Sequence, residues 1–322
     1  MLYRWLLCAA AGVALALPAR ADTAISFKLD FGVWGYHAPF FLAKEKGWYK
    51  QAGLDVRIDS GKGSADTIKI VGANGDNLGF ADFAAMGKAV SDGVPVVAVA
   101  AIVQDSLACI LSFADKPVRK PADLEGKRLG EISTGIAAYL LPAMFKKYGV
   151  DTGKVTIISY NYGANIPALL AGNIDASTGF VIQLPTVEEH ASGRKVVDMA
   201  FRDIGVESYS NGIIANKDFL KTHREAVEAF VTVSLKALQY SLTHMDEAAA
   251  ATAANGETPK EMLKAQFALS IPFIDTPAYR KLGPGVMTKA KWDATQNLQV
   301  STGQQAKPVP DDSLWTNSLV KH

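Results

Sequence analysis

The sequence predicts an α/β protein with parallel-type sheets, organised as two similar lobes. Short apolar runs of strand type alternate with helical stretches, and the same order restarts near residue 121. A turn motif also recurs: Val71-Gly-Ala-Asn-Gly-Asp-Asn-Leu-Gly-Phe80 matches Leu170-Ala-Gly-Asn-Ile-Asp-Ala-Ser-Thr-Gly-Phe180 in kind, allowing a one-residue gap. The separation from Trp34 to Phe80 equals that from Thr134 to Phe180, which sets the two loops as counterparts. The alternative is the general likeness of any α/β unit to another.

Each element has a local reason. Residues 24–31 alternate and read as a first strand. Trp34, Tyr36 and His37 fall in the following loop, where side chains can face a ligand instead of a core. Pro39 suits the first turn of a helix, Gly53 suits its end, and residues 54–58 resume strand character. Residues 59–65 form a small-residue loop opening a helix at 66–73. Strands follow at 78–81 and 93–102.

In the second half, residues 132–136 are a strand end and helix start, and Gly149 ends that helix. Residues 155–160 are a strand, 161–164 a loop, 166–170 a helix and 178–180 a strand end. Residues 208–215 return as a strand carrying Asn211. Helices are expected at 218–242, 245–255, 259–269 and from 279, punctuated by Pro272, Pro277 and Pro284. Trp315 is an anchor in a turn-rich tail. The division is a leader at 1–21, lobe I at 22–112, lobe II at 113–207, and a return to lobe I with C-terminal helices at 208–322.

Composition narrows the function. Apolar residues make up 49% of 322 and formal charge is +1, which argues against disorder and against a nucleic-acid surface. Arg4, the apolar run 6–17 and Ala19-Arg-Ala21 have the form of a cleavable export signal, with cleavage after Ala21. The alternative is a buried N-terminal helix. The mature chain then keeps only Cys109, in an apolar stretch, and reads as a buried thiol without disulfide or metal.

No catalytic motif stands out, and the five histidines have no metal-ligand spacing. Gly61-Lys-Gly-Ser64 lacks the upstream glycine of a phosphate loop. Ligand-type residues gather instead at the expected strand C-termini, where open α/β sheets bind ligands. They are Trp34, Tyr36, His37, Ser60, Lys62, Ser64, Asp82, Ser133, Thr134, Asn161, Tyr162, Phe180 and Gln183, with Asn211 on the returning strand. Asp82 reads equally as a helix cap and Phe180 equally as core.

Tyr36-His-Ala-Pro-Phe-Phe-Leu-Ala43 and Lys46-Gly-Trp-Tyr-Lys-Gln-Ala-Gly-Leu-Asp-Val56 resemble periplasmic substrate-binding proteins of ABC importers. So do Gly93-Val-Pro-Val96, Asp123-Leu-Glu-Gly-Lys-Arg-Leu-Gly130, the segment 168–176 and the Trp315-Thr-Asn tail. The relevant branch binds nitrate, sulfonates, taurine or thiamine pyrimidines and includes the fungal pyrimidine synthase. The resemblance implies a two-lobed periplasmic-binding-protein-like fold of type II, each lobe a small mixed sheet flanked by helices. It also implies closure on a small molecule that is presented to an ABC permease; with the export signal the expectation is a periplasmic monomer, and no cofactor is expected.

The synthase resemblance implies a lysine and a histidine before the Gly-x-Pro-Val segment and a cysteine cluster later. Here those positions are Ala81, Ala85 and Ser208-Tyr-Ser-Asn-Gly212. A sensory module delivering ligand to a receptor is a further alternative. The candidate loops hold no arginine and only Lys62 as a cation. Their aromatic residues favour a flat ring, pyrimidine-like by preference, or an aromatic carboxylate, over a sulfonate, taurine or nitrate.

Overall fold

A computed structural model describes residues 22–133, 137–161 and 163–321. The expected leader, Thr134 and Tyr162 lie outside the described residues. The strands are β1 (Thr23–Lys28), β2 (Leu54–Asp59), β3 (Leu78–Asp82), β4 (Val96–Ala101), β5 (Ala108–Phe113), β6 (Arg128–Ile132), β7 (Thr156–Tyr160), β8 (Ala176–Phe180), β9 (Val196–Ala200) and β10 (Asn211–Asn216). They form two sheets, ordered β2-β1-β3-β10-β4 and β7-β6-β8-β5-β9.

The sheets share one plan. β1 runs parallel to β2 and β3, as β6 does to β7 and β8. The fourth strand is antiparallel in both: β10 in the first and β5 in the second. Because β5 pairs with β8 and β9, the chain crosses between sheets at residues 102–107, ahead of the 112/113 boundary read from sequence. The crossing back leads into β10.

The recurrent turn motif has a physical role at the foot of each sheet. The side-chain oxygen of Asn77 accepts the Ser26 N–H at 2.9 Å, and that of Asp175 accepts the Arg128 N–H at 2.9 Å. Each bond satisfies an N–H of the first strand from the turn that starts the third.

Helices cover the sheets and bury the first core. Phe27 of β1 meets Phe40 and Phe230 at ring-centroid distances of 4.7 and 4.9 Å. Pro39 lies in the first turn of the helix Ala38–Glu45 as expected. The stretch 218–242 is two helices, Lys217–Thr222 and Arg224–Thr243, interrupted at His223. Pro272 falls inside the helix Lys260–Ile274 but in its last turns, where only a late hydrogen bond is lost. Thr316 N–H bonds Ala98 O at 2.9 Å beside the Trp315 bridge, so the tail is fixed along β4. Cys109 is buried and its thiol is raised by that burial. No helix among the described residues is long and apolar enough to cross a membrane.

Candidate functional site

β1 ends at Lys28, so Asp30 emerges just beyond the sheet instead of inside a strand. The β2 loop closes over it: Gly63 N–H bonds Asp30 O at 2.6 Å and Gly61 N–H bonds Phe31 O at 2.9 Å. A Cβ on Gly61 would lie 2.0 Å from Leu29 O, so only glycine permits this approach. The Gly61–Ser64 stretch is thus explained by packing against β1.

Asp30 is fully buried and each carboxylate oxygen takes two donors. Phe31 N–H and His37 Nε2 reach Oδ1 at 2.9 and 2.8 Å. Tyr36 OH and Asn211 Nδ2 reach Oδ2 at 2.6 and 2.7 Å. His37 Nδ1 accepts the Trp34 N–H at 3.1 Å, which places the ring proton on Nε2, toward Asp30. Tyr36, His37 and Asn211 were expected to line the pocket. They are buried behind it and hold the loop, because a buried carboxylate needs donors more than a solvated ligand does.

Asp82 ends β3 and caps the helix Phe83–Ser91, accepting Ala84 and Ala85 N–H on Oδ1 at 2.8 and 3.0 Å. The Ser64 hydroxyl accepts the Asp82 N–H at 3.1 Å. Asp82 Oδ2 is buried and has no protein partner. Burial pushes its carboxyl up to about 8, the two cap bonds opposing and the nearby Asp30 adding to the rise. Across the lobes, the half-buried Tyr139 phenol is raised by burial and by the charge of Asp82.

Trp34 is the part of the loop left at the cleft. It stacks on Phe31 with centroids 5.2 Å apart and meets the edge of Phe180, from the second sheet, at 5.6 Å. Phe180 N–H donates to Gln183 Oε1 at 2.8 Å, and Gln183 lines a cavity of about 350 Å³. Its lining includes Trp34 and Gln266 from the first lobe and Ile132, Asn165, Gln183, Thr186 and His190 from the second. No lysine or arginine is among its described lining residues. Ser60, Lys62, Ser133 and Asn161 are exposed and outside this lining, and Ser64 is buried beside Asp82.

Sequence reasoning missed Asp30 and Gln266. The usable signal for Asp30 was a carboxylate after an alternating strand, with tyrosine and histidine six and seven residues on. Gln266 lies in a helix far along the chain and offered no local signal.

Residues 34–248 match the family model described as NMT1/THI5 like. A 4-amino-5-hydroxymethyl-2-methylpyrimidine phosphate synthase of Saccharomyces cerevisiae is 26% identical over 68% of this chain and 67% of its own. A formylaminopyrimidine-binding protein of Halalkalibacterium halodurans is 26% identical over 70% and 68%. The alkanesulfonate-binding protein of Xanthomonas axonopodis pv. citri, solved with MOPS, superposes with a TM-score of 0.73 at 15% identity, covering 92% of this chain and 99% of that one. Its likeness establishes the fold; the family match covers more than half the sequence. The chain therefore belongs to the NMT1/THI5-like family and has the two-lobed α/β fold of periplasmic binding proteins.

Proposed function

We propose that this protein is an exported, monomeric solute-binding protein that captures a neutral nitrogen heterocycle of the aminopyrimidine class between its lobes and delivers it to an ABC permease. One observation carries the reading. The inter-lobe cavity has an aromatic wall at Trp34 and amide side chains at Gln183 and Gln266, with no lysine or arginine and only His190 as an ionisable group among its described lining residues. A flat ring gains from stacking on indole, and the amide N–H groups of Gln183 and Gln266 left over from the protein's own hydrogen bonds can donate to ring nitrogens. A sulfonate would call for arginine, lysine or a nest of free N–H groups.

The names of the curated relatives agree with this class, since both contain an aminopyrimidine. Asp82, with its unpartnered oxygen, is buried at the strand ends outside the lining of this cavity, and Phe180 backs Trp34. Tyr36, His37 and Asn211 act through Asp30 by fixing the aromatic loop. Binding is favoured over synthesis because buried Ala81 and Ala85 stand where the resemblance to the synthase calls for lysine and histidine. Neither methyl group can transfer a proton or hold a cofactor.

Calorimetry with 4-amino-5-hydroxymethyl-2-methylpyrimidine and with taurine tests the proposal. The pyrimidine should bind, and Trp34→Ala should weaken it about tenfold or more while leaving the ligand-free melting temperature nearly unchanged. Tight taurine binding that ignores Trp34→Ala would overturn the ligand class.

A further inference from the structure

Gln266 is 4% exposed and lies on the helix Lys260–Ile274, which follows the return to the first sheet. Its Oε1 accepts the Gly35 N–H at 2.8 Å, inside the loop that presents Trp34. Its Nε2 points the other way and donates to Thr186 Oγ1 at 3.3 Å, on the helix Leu184–Glu189 of the second lobe. Thr186 Oγ1 in turn faces Met262 Sδ at 3.3 Å, one turn earlier on the same helix as Gln266. One amide therefore holds the aromatic loop with its acceptor end and the opposite lobe with its donor end, at the wall of the cavity.

The helix is pressed against that loop. A Cβ on Gly35 would come within 2.2 Å of Leu263 O and 2.5 Å of Phe267 N. Gly35 has no left-handed backbone to explain its choice; close approach of the helix explains it. With the Gly35 bond fixed by packing, only the Thr186 bond can break when the lobes part. A primary amide suits this position because it offers an acceptor and a donor at opposite tips, and neither changes with pH.

We propose that Gln266 is a positioning residue that couples the seating of Trp34 to closure of the second lobe, with Thr186 as its releasable partner. This rests on the reading of the protein as a two-lobed binder. Closure then favours the loop geometry that stacks a ring, and a stacked ring favours closure, because both lean on the same amide. Thr186, which no motif identified, becomes the lobe II end of the coupling.

Thr186→Val is the first test, since it keeps the side-chain shape, removes the acceptor for Gln266 together with the weak hydroxyl contact to Met262 Sδ, and leaves the Gly35 bond intact. Small-angle scattering of the ligand-free protein should show a larger radius of gyration than wild type. Stopped-flow dissociation of 4-amino-5-hydroxymethyl-2-methylpyrimidine should quicken about fivefold, as for loss of one hydrogen bond. The ligand-free melting temperature should stay close to wild type. Gln266→Leu should show both effects and also shift Trp34 fluorescence. A Thr186→Val protein with unchanged scattering and unchanged dissociation overturns the coupling, as does a drop in melting temperature with neither effect. If wild type fails to bind the pyrimidine, the ligand class falls, while the scattering comparison still decides the coupling.

Discussion

The two sheets have the same strand order and register, yet their strand ends carry opposite chemistry. Phe27 pairs with Leu78 in the first sheet as Leu129 pairs with Ala176 in the second. Carried forward along each strand, that register sets Asp30 against Ile132 and Asp82 against Phe180, so Phe80 falls against Thr178 and not against Phe180 as the sequence match has it. The antiparallel strands complete it, since Asn211 faces Asp82 as Ala108 faces Phe180. A buried polar trio in one lobe thus stands where an apolar trio stands in the other. The backbone plan tolerates both, and the cost of burying charge is met in the first lobe by donors from its own loop and from β10. The first lobe is a hydrogen-bonded template that holds Trp34; the second is a cover with an aromatic edge.

Making the first lobe imitate the second should have the largest effect. Asp30→Ile would strand the Tyr36 hydroxyl, the His37 Nε2–H and the Asn211 amide in the core. Each unsatisfied buried donor costs roughly 1–3 kcal/mol, so urea unfolding should show a loss of about 3 kcal/mol or more. A loss below about 1 kcal/mol would mean that water reaches these donors and that the template is not closed.

Asp82 gives an intermediate effect with a defined pH signature. Its carboxyl, raised to about 8 by burial, keeps a proton in the folded chain that the unfolded chain releases near pH 4. Stability from this group is therefore greatest in acid and declines as pH rises from about 4 to about 8. Asp82→Asn retains the cap acceptor and removes the titration. Its melting temperature relative to wild type should rise steadily across that window and level off above it; a constant difference would contradict the burial argument.

The smallest effect belongs to the turn motif. Asp175→Asn keeps the bond to Arg128 N–H, as Asn77 does in the first lobe, and loses only a partly exposed ion pair. The Arg128 guanidinium holds the Asp175 carboxyl down at about 2, so its contribution is present above pH 4 and fades between pH 4 and 2. At neutral pH the change should be within about 1 kcal/mol, read by chemical denaturation. A larger loss would show that the two turns are not interchangeable.

The sequence by itself determined what depends on neighbours along the chain. Alternation placed the first strand, Pro39 opened the first helix, and the repeated turn announced two related sheets, because each rests on local backbone preference or on a side chain reaching a nearby N–H; the break at Gly47, which ends that helix ahead of Gly53, and the strands at 108–113 and 196–200 went unread. Trp34 was legible for the same reason, as a large ring in a loop after a strand. Tertiary structure decided which loop residues face the cleft. Tyr36 and His37 turned inward because Asp30, placed past the strand end, needed donors, and Asn211, 181 residues away, supplied another. Gln266 reaches Gly35 across 231 residues. Contacts of that span follow from how sheets and helices stack, and no spacing in the chain records them.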